Sequence, residues 1–330
     1  MMAVSSPATT LAQPVRGPSP LGQEVLQVLY QHRLMSTTQL HRLLTPHRSR
    51  PEQVRREVAQ LRGLGLAAST VRRRRGGREL LSYLTPAGHE AVEAARELVP
   101  RAWRMSEAAA AGQLQEHTLA VNDTGLAFVD HARRLEHECG PLDWHAELAH
   151  RCRDGETHAA DPAVLVPDAV LHYVRAERDR RTRTMLTFFL EVDRGTETVA
   201  QLAAKLAAYA RYRNYIPAPV GGRRGRPVSR TAGREAWKEL YPAFPRLLIV
   251  LTGRPASVLQ RRAEDLRALV AADSRLRPAA DGSRLRAGTT TLEELQQRGP
   301  FAPIVTPLLD ATARRCNVLL ADPDSTKGTA

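Results

Sequence analysis

The chain has 330 residues, 42% of them hydrophobic, which is enough for two domains that each bury a core. It has no run of about eighteen apolar residues and no charged segment followed by an apolar one near its start, so we expect a cytoplasmic protein without a membrane span or signal peptide. The net charge of +13 implies a polyanionic partner, although the scarcity of lysine indicates that base composition explains part of the arginine excess.

The first hundred residues predict three short helices. Residues 1–20 are rich in Pro, Ser, Ala and Thr and are expected to be a disordered leader. Apolar residues recur at helical spacing over residues 21–29 and indicate the first helix. Capping-box patterns at residues 36–39 and 49–52 predict where the second and third helices begin.

A β-hairpin is predicted after the third helix. The segments LAASTVRRRR (66–75) and RELLSYLT (78–85) flank Gly76 and Gly77, the two-glycine connection that hairpins favour. Three helices and a hairpin in this order are typical of a winged helix-turn-helix, which we predict over residues 21–98.

The rest of the chain predicts a mixed α/β fold. Residues 99–115 are Ala-rich and weakly patterned, and we interpret them as a linker or an interdomain helix. A long helix should follow and begin the order αβββαβα, with TMLTFFLEV (184–192) apolar enough for a strand buried on both faces. We expect this domain to span residues 116–310, with a C-terminal tail at 311–330.

Basic residues concentrate in the predicted winged helix, where residues 1–100 hold 14 Arg and 7 Glu, a balance of +7 (14 − 7). In such modules the third helix enters the major groove and the hairpin contacts the backbone, so double-stranded DNA is the predicted partner. The alternatives are a winged helix that contacts protein, or arginines that only solvate a helix. Base-edge candidates are Arg50, Gln53, Arg56 and Gln60, and phosphate-binding candidates are Arg72, Arg73, Arg74, Arg75 and Arg78.

Acidic residues follow two adjacent predicted strands. Asp168 is placed inside one strand, and Glu191 and Asp193 end the next, on the same face because side chains alternate along a strand. Carboxylates on neighbouring strands hold Mg²⁺ in metal-dependent nucleases, so these three residues are the predicted metal ligands, with Glu147 as a candidate fourth.

The helix after the second strand carries Gln201, Lys205 and Tyr209 four residues apart, on one face that could point at the same site. The alternative for the acidic residues is purely structural. In that interpretation Asp193 pairs with Arg194 in a strand-ending turn, and residues 196–199 cap the next helix.

At its acidic residues the chain resembles the PD-(D/E)xK nuclease superfamily, with Asp168 as the first acid and Glu191 as the second. The resemblance implies a restriction-endonuclease-like domain and a Mg²⁺-dependent site formed by Asp168, Glu191, Asp193 and Lys205. Asp193 stands where the superfamily usually has lysine. Three alternatives follow: an acid serves at that position, Lys205 supplies the lysine from the next helix, or the copy is not catalytic.

A closer resemblance covers most of the chain. The motifs EHTLAVND (116–123), PDA (167–169) and FLEVDRGTE (189–197), with Lys205 and Tyr209 downstream, look like the actinobacterial replication-relaxation family. Within EHTLAVND we interpret His117 as a packing or hydrogen-bonding residue. The resemblance implies a place on plasmids or integrative elements and a function in plasmid replication or DNA relaxation.

Two functions remain open from the sequence. In the first, the winged helix recruits the protein to DNA that the α/β domain binds or nicks. In the second, the nuclease-like fold is only a scaffold, and the protein is a transcription regulator or replication initiator. A homodimer and contacts with replication proteins are compatible with both.

Overall fold

A computed structural model describes residues 17–74, 77–98, 103–155, 163–176, 182–218, 233–276, 285–310 and 314–320. Within these ranges the protein is a mixed α/β structure with one three-stranded, one six-stranded and one two-stranded sheet. None of the described helices combines the length and apolarity needed to cross a bilayer.

The N-terminal module comprises four helices and a small antiparallel sheet of strand order β1-β3-β2. The predicted capping box at residues 36–39 is confirmed, because Ser36 accepts from the backbone of Gln39 and the Gln39 side chain accepts in return. The elements are α1 (Pro20–His32), β1 (Met35–Ser36), α2 (Thr37–Leu44), α3 (Glu52–Gly63), β2 (Ala67–Arg74), β3 (Gly77–Leu84) and α4 (Pro86–Ala95).

Two sequence predictions in this module are wrong in detail. The second capping box does not form. Helix α3 begins at Glu52, directly after Pro51, and no side chain caps its N-terminus. Arg50 therefore precedes the helix instead of lying on it. Gly77 pairs with Arg74 inside the hairpin ladder and does not belong to the connection, while Arg75 and Gly76 lie outside the described residues.

The C-terminal part is built on a six-stranded sheet of order β11-β10-β9-β8-β7-β4. Strands β8, β9 and β10 are parallel to one another. Strands β7 and β11 run antiparallel to these three, and β4 is antiparallel to β7. The elements are α5 (Glu107–Ala111), α6 (Leu114–Leu135), β4 (Trp144–Ala146), β5 (His150–Arg151), β6 (Val164–Leu165), β7 (Ala169–Ala176), β8 (Arg183–Asp193), α7 (Val199–Asn214), β9 (Arg246–Leu251), α8 (Ala256–Ala272), β10 (Ala287–Thr291), α9 (Leu292–Arg298) and β11 (Thr306–Pro307).

Helices cover both faces of this sheet. Phe188 belongs to a core shared with Phe128 of α6, whereas its neighbour Phe189 belongs to a second core shared with Leu206 of α7 and Leu266 of α8. The second half of β8 is therefore buried on both faces, as its apolar sequence predicts. Residues 314–320, placed in the predicted tail, also contribute to the core through Val318 and Leu319.

The N-terminal module packs directly against the sheet domain. His32 of α1 stacks on Trp144 of β4 with ring centroids 3.8 Å apart. Gln39 of α2 donates to the carbonyl of Leu119 and to Asp123 in α6. The predicted linker region holds α5, which contacts β2 and α6 and buries Ala110. The two parts consequently share one core, and their relative position is set by packing.

Candidate functional site

A polar cluster lies at the end of the sheet where β7 begins and β8 ends. Antiparallel pairing of Ala169 with Leu190 places Asp168 beside the end of β8, close to Glu191. The segment predicted as one strand is split into β6 and β7, and Asp168 lies in the interruption just before β7. This corrects the prediction that Asp168 is inside a strand.

Glu191 is the centre of the cluster and is only 2% exposed. Lys205 Nζ donates to its Oε2 at 3.0 Å, and the Tyr209 hydroxyl donates to its Oε1 at 2.6 Å. Lys205 also contacts Glu197 at 3.0 Å. The helical spacing of Lys205 and Tyr209 thus places both residues on Glu191, whereas Gln201 forms the capping box of α7 with Thr198.

Burial controls the charge of Glu191. It raises the pKa of this carboxyl to about 7. The neighbouring Asp168 charge also raises this pKa, whereas Lys205 and Tyr209 lower it. Burial lowers the pKa of Lys205, but the charges of Glu191 and Asp168 outweigh it and raise that pKa above its ordinary value. The cluster therefore combines a lysine that stays protonated with a carboxyl that titrates near neutral pH.

Asp168 is held by two donors. His117 Nε2 lies 3.1 Å from its Oδ1, and the backbone N–H of Val192 donates to its Oδ2 at 2.7 Å. The hydrogen bond to Asp168 raises the pKa of His117, although burial opposes the shift. No local sequence pattern indicates this contact, since His117 precedes Asp168 by 51 positions.

Asp193 and Glu147 have other partners. Asp193 accepts from the Arg262 guanidinium of α8 and from the backbone of Gly195. Glu147 pairs with Arg33 at 2.6 Å, at the junction with the N-terminal module. The contacts of Asp193 thus match the structural alternative, a strand-ending turn, better than a metal ligand. The arginine that pairs with Asp193 is Arg262, where the sequence predicts Arg194.

The predicted Mg²⁺ ligands are not grouped as a set of three in the part of the chain that the structure describes. Among the residues that the structure describes, no three His, Cys, Asp or Glu side chains are grouped so that they could hold a metal ion. Both oxygens of Asp168 and both oxygens of Glu191 already accept from N–H or O–H groups. Because each carboxylate oxygen has a second lone pair, a cation at this position would share the carboxylates with those donors.

A second polar surface lies on α3. Val54, Val58 and Leu61 are buried, and the helix turns its polar side chains outward. Of the predicted base-edge residues, Arg50, Arg56 and Gln60 are exposed and Gln53 is half-buried.

The hairpin arginines divide into two groups. Arg73 and Arg78 lie directly opposite each other in the β2–β3 ladder, and both are exposed. Arg72 points elsewhere and is half-buried, with Glu79 at 3.4 Å and Glu116 at 2.5 Å. Arg75 and the side chain of Arg74 lie outside what the structure describes.

The fold and these two surfaces define a mixed α/β protein in which a basic helix–hairpin module packs against a sheet domain with a buried Glu–Lys–Tyr cluster. The chain belongs to the replication-relaxation family, whose sequence model matches residues 26–222, more than half of its length. The matched segment contains α3, the hairpin, Asp168, Glu191 and Lys205. No curated protein and no solved structure matches the chain.

Proposed function

We propose that this protein binds double-stranded DNA through α3 and the β2–β3 hairpin, and that it acts in replication or DNA processing on a plasmid or another mobile element. Family membership supports a role in replication or DNA processing. The observation that carries the DNA-binding proposal is the exposed pair Arg73 and Arg78 on the hairpin that follows α3.

The element order supports a winged helix-turn-helix. Helices α1, α2 and α3 precede the hairpin, α3 contacts β2, and the short strand β1 completes the small sheet. In this arrangement α3 is the helix that enters the major groove. Arg56 and Gln60, one turn apart and exposed, are the proposed readers of guanine and adenine edges, and Arg50 and Gln53 precede them in the chain.

Like charges directly opposite in a β-ladder destabilise it. The hairpin nevertheless places Arg73 opposite Arg78, and the two charges extend into solvent. A phosphate group between two guanidiniums would remove that repulsion and gain charge-assisted hydrogen bonds. This surface therefore has the chemistry of a DNA-backbone contact.

The double variant Arg73→Ala/Arg78→Ala is expected to weaken binding to every duplex sequence. Losing two phosphate contacts should make the slope of log K against log salt less negative by about 2. The measurement is fluorescence anisotropy of a labelled duplex, titrated with wild type and variant at several salt concentrations.

Arg261→Ala is a single-site control for the loss of an arginine elsewhere, since Arg261 is an exposed arginine on α8, far along the chain from the proposed surface. It should keep the wild-type affinity and slope. If the double variant behaves like this control, the hairpin is not a DNA-contacting element.

Metal-dependent DNA nicking is the second candidate function, and the contact between Lys205 and Glu191 favours it. The order α6-β4-β7-β8-α7-β9 supports a restriction-endonuclease-like arrangement in which α7 supplies the lysine. The proposed catalytic residues are Asp168, Glu191 and Lys205. Asp193 would join them only after leaving Arg262.

Nicking of supercoiled plasmid in a Mg²⁺ or Mn²⁺ titration tests this candidate. We expect Glu191→Ala to abolish nicking and to leave DNA binding intact, whereas Glu264→Ala, at an exposed position of α8, should retain both. DNA binding without cleavage at any metal concentration would leave the sheet domain as a scaffold, the role expected of a regulator or initiator.

A further inference from the structure

Glu116 brings together two arginines from different parts of the fold. Its Oε2 lies 2.5 Å from Arg72 of β2 and 4.0 Å from Arg194, the residue after β8. All three side chains are partly open to solvent, with exposed fractions of 17% for Arg72, 25% for Arg194 and 37% for Glu116. One carboxylate thus occupies the space between two guanidiniums that solvent can reach.

This position lies between the two surfaces described above. Arg72 belongs to the same strand as Arg73, and Arg194 directly follows Asp193 at the end of β8. Glu116 precedes His117, whose imidazole contacts Asp168. Glu116 therefore lies between the hairpin, with which it forms an ion pair, and His117, the next residue, which contacts the Asp168–Glu191 cluster.

Two guanidiniums around one oxyanion are also the usual surroundings of a phosphate group. Glu116 lies in the first turn of α6, a helix of 22 residues, where the helix dipole favours a negative charge. The Glu116 carboxylate consequently occupies a position that suits a phosphodiester equally well.

We propose that Arg72, Arg194 and the first turn of α6 form a phosphate-binding position for the backbone of DNA, which a phosphate enters when the Glu116 side chain turns away. This inference rests on the proposed DNA binding and extends it. The duplex held by α3 and the hairpin continues across this position and passes over the Asp168–Glu191 cluster.

Glu116→Gln tests the proposal, because it removes the negative charge between the two arginines with little change in side-chain shape, while Arg72 keeps its contact with Glu79. We expect tighter binding of a labelled duplex and a plot of log K against log salt that is steeper by about 1. Glu138→Gln is the matched control. It makes the same change in net charge and releases Arg183, 3.0 Å away, at the opposite end of β7 and β8.

The second variant is Glu116→Gln/Arg194→Ala, which should lose the gain because one guanidinium of the position is gone. The inference is overturned if wild type binds DNA and E116Q binds no better than E138Q. Absence of DNA binding by both wild type and E116Q would overturn the proposed function as well, so the two failures are distinguishable.

Cross-linking locates the DNA path directly. Cys139, Cys152 and Cys316 are buried, so a new cysteine at exposed Thr196 can be labelled selectively with a photoactivatable group. Thr196→Cys should cross-link bound duplex in the E116Q background, and Gln297→Cys, exposed on α9, should not. Equal yields at the two positions would contradict a path over the Asp168–Glu191 cluster.

Discussion

Arg262→Ala is expected to lower the free energy of unfolding by about 3 to 5 kcal/mol, the usual cost of leaving a buried charge without its partner. The Asp193 side chain is 1% exposed and that of Arg262 is 13% exposed. Arg262 also donates to the carbonyl of Glu197, so it ties α8 to the loop between β8 and α7. Urea denaturation of wild type and variant measures the loss.

A double-mutant cycle separates the buried charge from the lost packing. Asp193→Asn keeps an oxygen for the backbone of Gly195 but removes the charge. We therefore expect Asp193→Asn/Arg262→Ala to be more stable than Arg262→Ala alone. A double variant as unstable as the sum of the two single variants would show that the pair is not coupled.

Glu191→Gln is expected to change how stability depends on pH. The pKa of Glu191 is about 7 in the folded protein against an ordinary value of 4.5, because burial disfavours its charged form. Because folding raises this pKa, the protonated Glu191 stabilises the folded state fully below pH 4.5. This contribution to the free energy of unfolding is lost as the pH rises through about 7. At about 1.4 kcal/mol for each pKa unit, the loss is on the order of 3 to 4 kcal/mol.

The variant cannot titrate at this position, so the comparison isolates Glu191. We expect the free energy of unfolding of wild type, minus that of Glu191→Gln, to fall as the pH rises from about 5 to about 8. Denaturation curves at several pH values measure this difference. A difference that is constant, or that grows with pH, would mean that Glu191 is ionised throughout and that Lys205 dominates its environment.

Local patterns predict much of the fold. The capping box at residues 36–39 and the apolar stripe Val54, Val58 and Leu61 depend on neighbours within one or two turns, and the structure has both. The buried strand β8 is equally clear, because its apolar run is too long for a surface strand. By contrast, β10 has the sequence AGTTT and becomes a central strand only through its place between β9 and β11.

The candidate site could be predicted only in part, because some of its contacts join residues close in sequence and others join residues far apart. Lys205 and Tyr209 are predictable because they lie on one face of a helix that follows Glu191 closely in sequence. The partner of Asp193 is Arg262, 69 positions away, and Arg72 pairs with Glu116, 44 positions away. Contacts across such distances depend on how helices pack on the sheet, which periodicity does not encode.

The salt dependence of DNA binding by the intact wild-type protein tests the central claim most directly. If the exposed arginines of the hairpin and of α3 contact phosphates, a labelled duplex should bind saturably. The log–log slope should be about −3 or steeper, corresponding to three or more neutralised phosphates. A protein that leaves the duplex free at low salt, or whose affinity does not change with salt, would contradict the account.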